Sequence, residues 1–141
     1  RVIGDKRGRP WTIGVRDPRR ADGLTALLPL EDTAISTSGD YERFFEKNGV
    51  RHHHIVDPAT GASPSAVRSV TVLAPDGLTC EALSKTVFVL GVQRGMELIE
   101  SLAGVDAIVV DAAGGLHFSS GMSAGRTPAR RQQTTCTGGS S

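Results

Sequence analysis

A β-branched stretch, SVTVLA at residues 69–74, is followed at once by the turn sequence Pro75-Asp76-Gly77. Alternating Val and Thr residues favour a strand, and a Pro-Asp-Gly sequence ends one. Thr79 is then a candidate N-cap for a helix that continues through Leu90. Because residues 87–90 (VFVL) are all apolar, this helix needs a sheet to cover it. The pattern therefore predicts a strand, a tight turn and a helix packed back on the sheet.

Strand patterns dominate the chain before this unit, and a helix and a hairpin follow it. Met96, Ile99 and Leu102 are spaced along one face of a second short helix. Gly114 and Gly115 supply the turn of a terminal hairpin. Strands, then a helix pair, then a hairpin predict an α+β domain, with a mixed or antiparallel sheet and the helix pair packed on it. The predicted strands are 10–15, 24–30, 33–37, 69–74, 107–111 and 116–120, and the second helix is 94–102.

Residues 41–56 allow two interpretations. Tyr41, Phe44 and Phe45 have the i, i+3, i+4 spacing of one helix face. Asn48-Gly49, however, is a strong hairpin signal, because a type I′ turn requires positive φ at both central residues. We favour two strands, 41–47 and 50–56, and the helix stays open as the alternative.

Composition excludes some classes of protein. The 141 residues are 38% hydrophobic and carry a net charge of +1, which suits one globular domain and gives no reason to expect nucleic acid as a partner. No apolar run approaches the ~20 residues needed to span a bilayer. Residues 123–141 contain almost no apolar side chains, so we predict a domain at 1–122 and a disordered tail at 123–141.

Three consecutive histidines, His52, His53 and His54, stand in the second predicted strand of the hairpin. On a strand, His52 and His54 point to one face and His53 to the other. Two imidazoles on one face can bind a metal ion, but the spacing by itself favours an exposed polar face with one histidine bonded into a loop. After them, Asp57 begins a DPATG turn that its carboxylate can cap.

Two further polar groups are candidate ligand sites. Residues 36–39 (STSG) offer hydroxyls and a flexible backbone that could cradle a phosphate. Glu81, Ser84 and Lys85 share a helix face, where a carboxylate and a hydroxyl could hold Mg²⁺. The alternative for Glu81 and Lys85 is an ordinary surface ion pair at i, i+4 spacing.

Six sequence strings occur in the order PWTIGVRDP, STSGDYERFF, HHIVDPATG, VTVLAP, EALSKTVFVLG and LHFSSGM. Together they resemble the FAD:protein FMN transferases, the ApbE-type flavin transferases, over about residues 4–122. The resemblance implies an ApbE-like α+β fold of which this chain is the C-terminal part. It also implies Mg²⁺-dependent phosphoryl transfer of FMN from FAD to a Thr or Ser hydroxyl of an acceptor flavoprotein. A non-catalytic relative that keeps only the scaffold is the alternative.

The resemblance also implies a setting and a set of site residues. Acceptors in this family are typically subunits of membrane redox complexes, which suggests the periplasmic or cell-surface side of the bacterial inner membrane. His54 corresponds to the family's functional histidine, and we expect it to be catalytic. The implied cofactor-binding residues are Ser38, Gly39, Ile55, Asp57 and Thr60, and the implied metal positions are Glu81, Ser84 and Lys85.

The metal helix departs from the family pattern. The family usually has ADALST, whereas this chain has CEALSK at residues 80–85. Glu81 keeps the carboxylate, but the ammonium of Lys85 cannot ligate Mg²⁺ and would compete with it for Glu81. In the family a further N-terminal region supplies much of the FAD pocket. We therefore expect weak or no FAD binding, and no transferase activity, from this chain by itself.

Overall fold

The computed structural model describes residues 1–20 and 22–123, so the predicted tail lies outside the described residues except for Ser123. The elements follow the predicted order, and the structure confirms the α+β class. No described helix is both long and apolar enough to cross a membrane. The described strands are β1 Trp11–Arg16, β2 Leu24–Leu30, β3 Ala34–Gly39, β4 Phe44–Lys47, β5 Val50–His53, β6 Val67–Ala74, β7 Asp106–Asp111 and β8 Leu116–Phe118, and the helices are α1 Gly77–Leu90, α2 Val92–Glu100 and α3 Ser120–Ser123.

The central sheet has the strand order β3-β6-β7-β8 and is antiparallel throughout. Helices α1 and α2 pack on one face of it, as predicted. Alternate residues of β6 and β7 point into this layer and are fully buried there, for example Val70, Val72 and Val109. Phe88 of α1 is also fully buried, which explains why the apolar residues 87–90 needed a sheet.

The β1–β2 ribbon covers the opposite face of the sheet; its two strands were predicted, but their packing on the sheet was not. The intervening residues of the sheet, such as Leu73 and Ile108, pack there against Leu28 and Leu30 of β2 and Val15 of β1. A separate antiparallel pair therefore forms the third layer of the domain.

Helix α1 begins three residues earlier than predicted, and its N-cap is Asp76 rather than Thr79. The Asp76 carboxylate accepts hydrogen bonds from the backbone N–H of Thr79 at 2.9 Å and from its hydroxyl at 2.7 Å. A carboxylate satisfies two donors at once, so it displaces the weaker threonine cap. These hydrogen bonds hold the pKa of Asp76 below its ordinary value.

The hairpin interpretation of residues 41–56 is confirmed, and the helix alternative is wrong. Strands β4 and β5 pair antiparallel, and the turn residues Asn48 and Gly49 have φ of 53° and 74°. Strand β5 is shorter than predicted and ends at His53. The N–H of His54 still donates to the Arg43 carbonyl at 3.3 Å. The N–H and C=O of His53 point away from β4 and bond to the Ser63 hydroxyl.

The terminal hairpin also ends early, at Phe118, and a short helix, α3, follows. The Glu100 carboxylate accepts hydrogen bonds from the backbone N–H of Ser120 at 2.6 Å and from its hydroxyl at 2.5 Å. This cap satisfies the first helical donors and diverts the chain from the predicted strand.

Candidate functional site

Strand β3 and helix α1 are joined by a hydrogen-bonded group of polar side chains, which we call the Glu81 cluster: Ser36, Ser38, Glu81, Ser84 and Lys85. Ser36 donates to Glu81 Oε2 at 2.5 Å, and Lys85 Nζ donates to Glu81 Oε1. The hydroxyls of Ser38 and Ser84 are 2.9 Å apart. The structure thus brings the predicted metal positions and Ser38 into one contiguous group.

Residues 36–39 form the second half of β3 rather than a flexible loop. The prediction of a flexible loop at these residues is therefore wrong, and phosphate contact by their hydroxyls stays a prediction. Strand alternation directs Ser36 and Ser38 toward α1, while Thr37 faces the other way and bonds to Thr71 at 2.9 Å. Since Ser38 is only 6% exposed, its hydroxyl connects β3 to α1.

A groove of about 520 Å³ runs beside the Glu81 cluster, between α1 and the segment that follows β5. His54 and Lys85 both line it, and the remaining lining is mostly apolar. His54 is exposed, and within the described residues its imidazole has no hydrogen-bond partner. The apolar residues of the two walls are Ile55, Val56 and Pro58 after β5, and Val89 and Leu90 on α1.

The DPATG turn closes the end of this segment as the sequence predicts. The Asp57 carboxylate accepts from the Ala59 N–H at 2.9 Å and from the Thr60 hydroxyl at 3.2 Å. The N–H of Gly61, whose φ is 69°, bonds to the Asp57 carbonyl at 2.8 Å. Asp57 and Thr60 are therefore engaged with each other and shape the turn; contact with a cofactor stays a prediction.

Ile55 lines the groove, and Gly39 directly follows the Glu81 cluster residue Ser38. Ile55 is 5% exposed and packs in the core with Val87 and Phe88, so its side chain acts chiefly as an anchor for the groove wall. Gly39 is covered by the ring of Tyr41. Cofactor contacts of both residues stay predictions.

The three histidines have three different environments. His52 stacks on Phe45 with ring centroids 5.1 Å apart. His53 is buried, places its Nε2 2.9 Å from the Pro64 carbonyl oxygen and lies edge-on to Phe88. His54 lies beyond the end of β5, so the expected alternation of His52 and His54 on one strand face does not apply.

No sequence pattern predicted a half-buried ion pair beside the hairpin, between Asp40 and Arg19. Asp40, 7% exposed, accepts from both terminal nitrogens of Arg19, at 2.7 and 2.6 Å. Arg51 is 3.9 Å from the same carboxylate. Asp40 directly follows Ser38-Gly39, but nothing in that position indicates its partner. Arg19 is 21 residues earlier in the chain, so local patterns could not pair the two residues.

The implied magnesium site can be compared with the donors that are present. Both Glu81 oxygens are occupied, one by the Lys85 ammonium and the other by the Ser36 hydroxyl. These hydrogen bonds hold the pKa of Glu81 below its ordinary value, the one from Lys85 having the larger effect. Ser84 is bonded to Ser38 and to the Glu81 carbonyl. Across residues 1–20 and 22–123, no three His, Cys, Asp or Glu residues are grouped to hold a metal ion, so the donors as arranged do not fit Mg²⁺.

We expect Gly39→Ala to destabilise the fold by about 1–2 kcal/mol through overpacking. A Cβ at residue 39 would lie 2.3 Å from a Tyr41 ring carbon, so the ring must swing away. Urea unfolding measures the loss, and the NMR signals of the single tyrosine report the ring movement. Gly77→Ala is the matched control, because a Cβ there meets nothing within 4 Å. If Gly39→Ala left both stability and the tyrosine signals unchanged, the packing argument would be wrong.

An antiparallel sheet with a helix pair on one face, and a groove lined by a free histidine and a lysine, define an α+β domain with a candidate ligand site. A sequence model of the ApbE family matches residues 1–109. The chain belongs to the ApbE family.

Individual relatives agree with this assignment. The FAD:protein FMN transferase of Treponema pallidum is 42% identical over 102 residues, which cover 71% of this chain and 28% of that protein. The crystal structure of the ApbE protein of Thermotoga maritima has a TM-score of 0.74 at 39% identity and covers 85% of this chain and 40% of that one. The flavin transferase ApbE of Vibrio cholerae has a TM-score of 0.69 at 31% identity, covering 85% of this chain and 39% of that one. The chain thus spans less than half the length of these relatives.

Proposed function

We propose that this chain forms the His54 side of a flavin transferase site, at which FMN is transferred from FAD to a hydroxyl of an acceptor flavoprotein. In the reaction, the acceptor oxygen forms a bond to the FMN phosphorus. The bond from that phosphorus to the bridging oxygen breaks, and AMP leaves. The hydroxyl proton passes to a base. The family assignment and the names of the relatives support this class of reaction.

One observation carries the proposal: His54 is exposed and lines the groove together with Lys85, and its imidazole has no hydrogen-bond partner in the part of the chain that the structure describes. A base must reach the hydroxyl proton directly, so it must be accessible and unencumbered. His53 is buried and bonded to Pro64, and His52 is stacked on Phe45, so neither meets that requirement. The apolar walls suit the planar rings of a dinucleotide, and Lys85 places positive charge near its phosphates.

The residues named by the resemblance divide into two roles in this proposal. His54 takes the proton, and the apolar groove beside it receives FAD. Ser38, Gly39, Asp57 and Thr60 hold the walls of the groove in position. The donors of the Glu81 cluster are already bonded to one another, so none of them is assigned to Mg²⁺ in this proposal. On the basis of the family resemblance, we also propose that the acceptor belongs to a membrane redox complex on the periplasmic side.

A segment exchange tests the proposal. The aligned 102 residues of the Treponema pallidum relative are replaced by those of this chain, and covalent flavin on an acceptor protein is detected by in-gel fluorescence. We expect the chimera to transfer FMN, because the groove and its histidine supply the same surface. A chimera that folds, as judged by circular dichroism, but neither binds FAD nor transfers FMN would overturn the proposal.

A further inference from the structure

The Glu81 cluster contains its own cation. Lys85 follows Glu81 by one helical turn, and its ammonium bonds to Oε1 while the Ser36 hydroxyl bonds to Oε2. Both side chains are about half exposed, at 47% for Lys85 and 57% for Glu81, so the pair forms at the surface of the groove and is open to solvent ions. A divalent cation that bound this carboxylate would have to compete with the ammonium already bonded to Oε1.

The other donors of the cluster cannot compensate. Ser84 is fully buried, and its hydroxyl is shared between Ser38 and the Glu81 carbonyl. Within the described part of the chain, no additional acidic or imidazole side chain joins Glu81 to form a group of three ligands. Mg²⁺ and Mn²⁺ prefer several oxygen ligands, and a neighbouring positive charge opposes their binding further.

We propose that Lys85 fills the cation position beside Glu81, so that this site excludes divalent metal ions and supplies a fixed ammonium instead. The inference deepens the proposed function by naming the cation of the same groove. It makes Lys85 the residue that determines metal selectivity here. Replacing its ammonium by a hydroxyl would free Glu81 Oε1 and add one neutral oxygen ligand.

The test measures Mn²⁺ binding to the whole 141-residue chain by electron paramagnetic resonance, which requires no flavin and no turnover. We expect no saturable binding for the wild type and for Lys85→Arg, which keeps the positive charge. Lys85→Thr should show saturable Mn²⁺ binding, with a dissociation constant about 10- to 100-fold below the highest Mn²⁺ concentration at which the wild type shows none. Adding Glu81→Gln to Lys85→Thr should remove the gain.

Two controls separate a specific effect of Lys85 from the loss of any lysine and from unfolding. Lys47→Thr removes an exposed lysine at the end of β4, away from the cluster, and should leave Mn²⁺ binding unchanged. Circular dichroism confirms that each variant is folded. Saturable Mn²⁺ binding by the wild type that Glu81→Gln abolishes would overturn the inference. So would a folded Lys85→Thr variant that still binds no Mn²⁺.

The Mn²⁺ binding test can succeed or fail independently of the FMN transfer test. If the chimera fails to transfer FMN while Lys85→Thr gains Mn²⁺ binding, the proposed function is wrong and the cation inference stands. If the chimera is active and the wild-type chain binds Mn²⁺ through Glu81, the proposed function stands and the cation inference is wrong.

Discussion

Substituting His54 by Ala in the FMN-transferring chimera should lower the transfer rate by at least about 100-fold, because a positioned general base typically contributes 10²- to 10⁴-fold. His54 is accessible, its imidazole is free within the described residues, and it shares the groove with Lys85. The rate is followed as covalent flavin fluorescence on the acceptor under single-turnover conditions. Loss of rate with unchanged FAD affinity would indicate a role in the chemical step.

His52→Ala is the matched control for this prediction. It removes an imidazole two residues away that stacks on Phe45 and does not line the groove. We expect its transfer rate to stay within about threefold of the parent, the order of change common for surface substitutions. Equal losses in the two variants would refute a specific role of His54, since they would show that the hairpin tolerates no change.

Short-range patterns predicted most of the fold. The helix–strand unit around Pro75-Asp76-Gly77 and the Asn48-Gly49 hairpin depend on neighbours in sequence, and the structure has both. The packing of the β1–β2 ribbon on the far face of the sheet was not predictable, because it depends on contacts between distant apolar residues such as Leu28 and Ile108. The short helix α3 was missed for the same reason, since its cap, Glu100, is 20 residues away.

The candidate site likewise has features that the sequence predicted and features that depend on contacts between distant residues. The position of His54 and the ADALST-like helix were recognised by resemblance, whereas spacing alone favoured an ordinary Glu81–Lys85 ion pair. The structure contains that pair. No pattern predicted that Ser36 would complete it, because the two bonded residues are 45 positions apart and meet only when β3 packs on α1.

The half-buried pair between Asp40 and Arg19 also joins distant segments, and we expect Asp40→Asn to lower the free energy of unfolding by about 2 kcal/mol. The substitution preserves the shape of the side chain but leaves the Arg19 guanidinium without its bidentate carboxylate. Hydrogen bonds to charged groups typically contribute about 1.5–3 kcal/mol, and water can partly replace the lost bonds because the Arg19 side chain is 34% exposed. Urea unfolding followed by circular dichroism measures the change.

Glu46→Gln provides the comparison, because Glu46 is paired with Arg51 at 3.1 Å but its side chain is 59% exposed. Exposed pairs contribute about 0–1 kcal/mol, so we expect this control to change stability little. Combining Asp40→Asn with Arg19→Met should cost less than the sum of the single changes, since the double variant no longer carries an uncompensated charge. If Asp40→Asn were as mild as Glu46→Gln, Arg19 would not depend on Asp40. The segment after β1 would then be fixed to the end of β3 by packing alone.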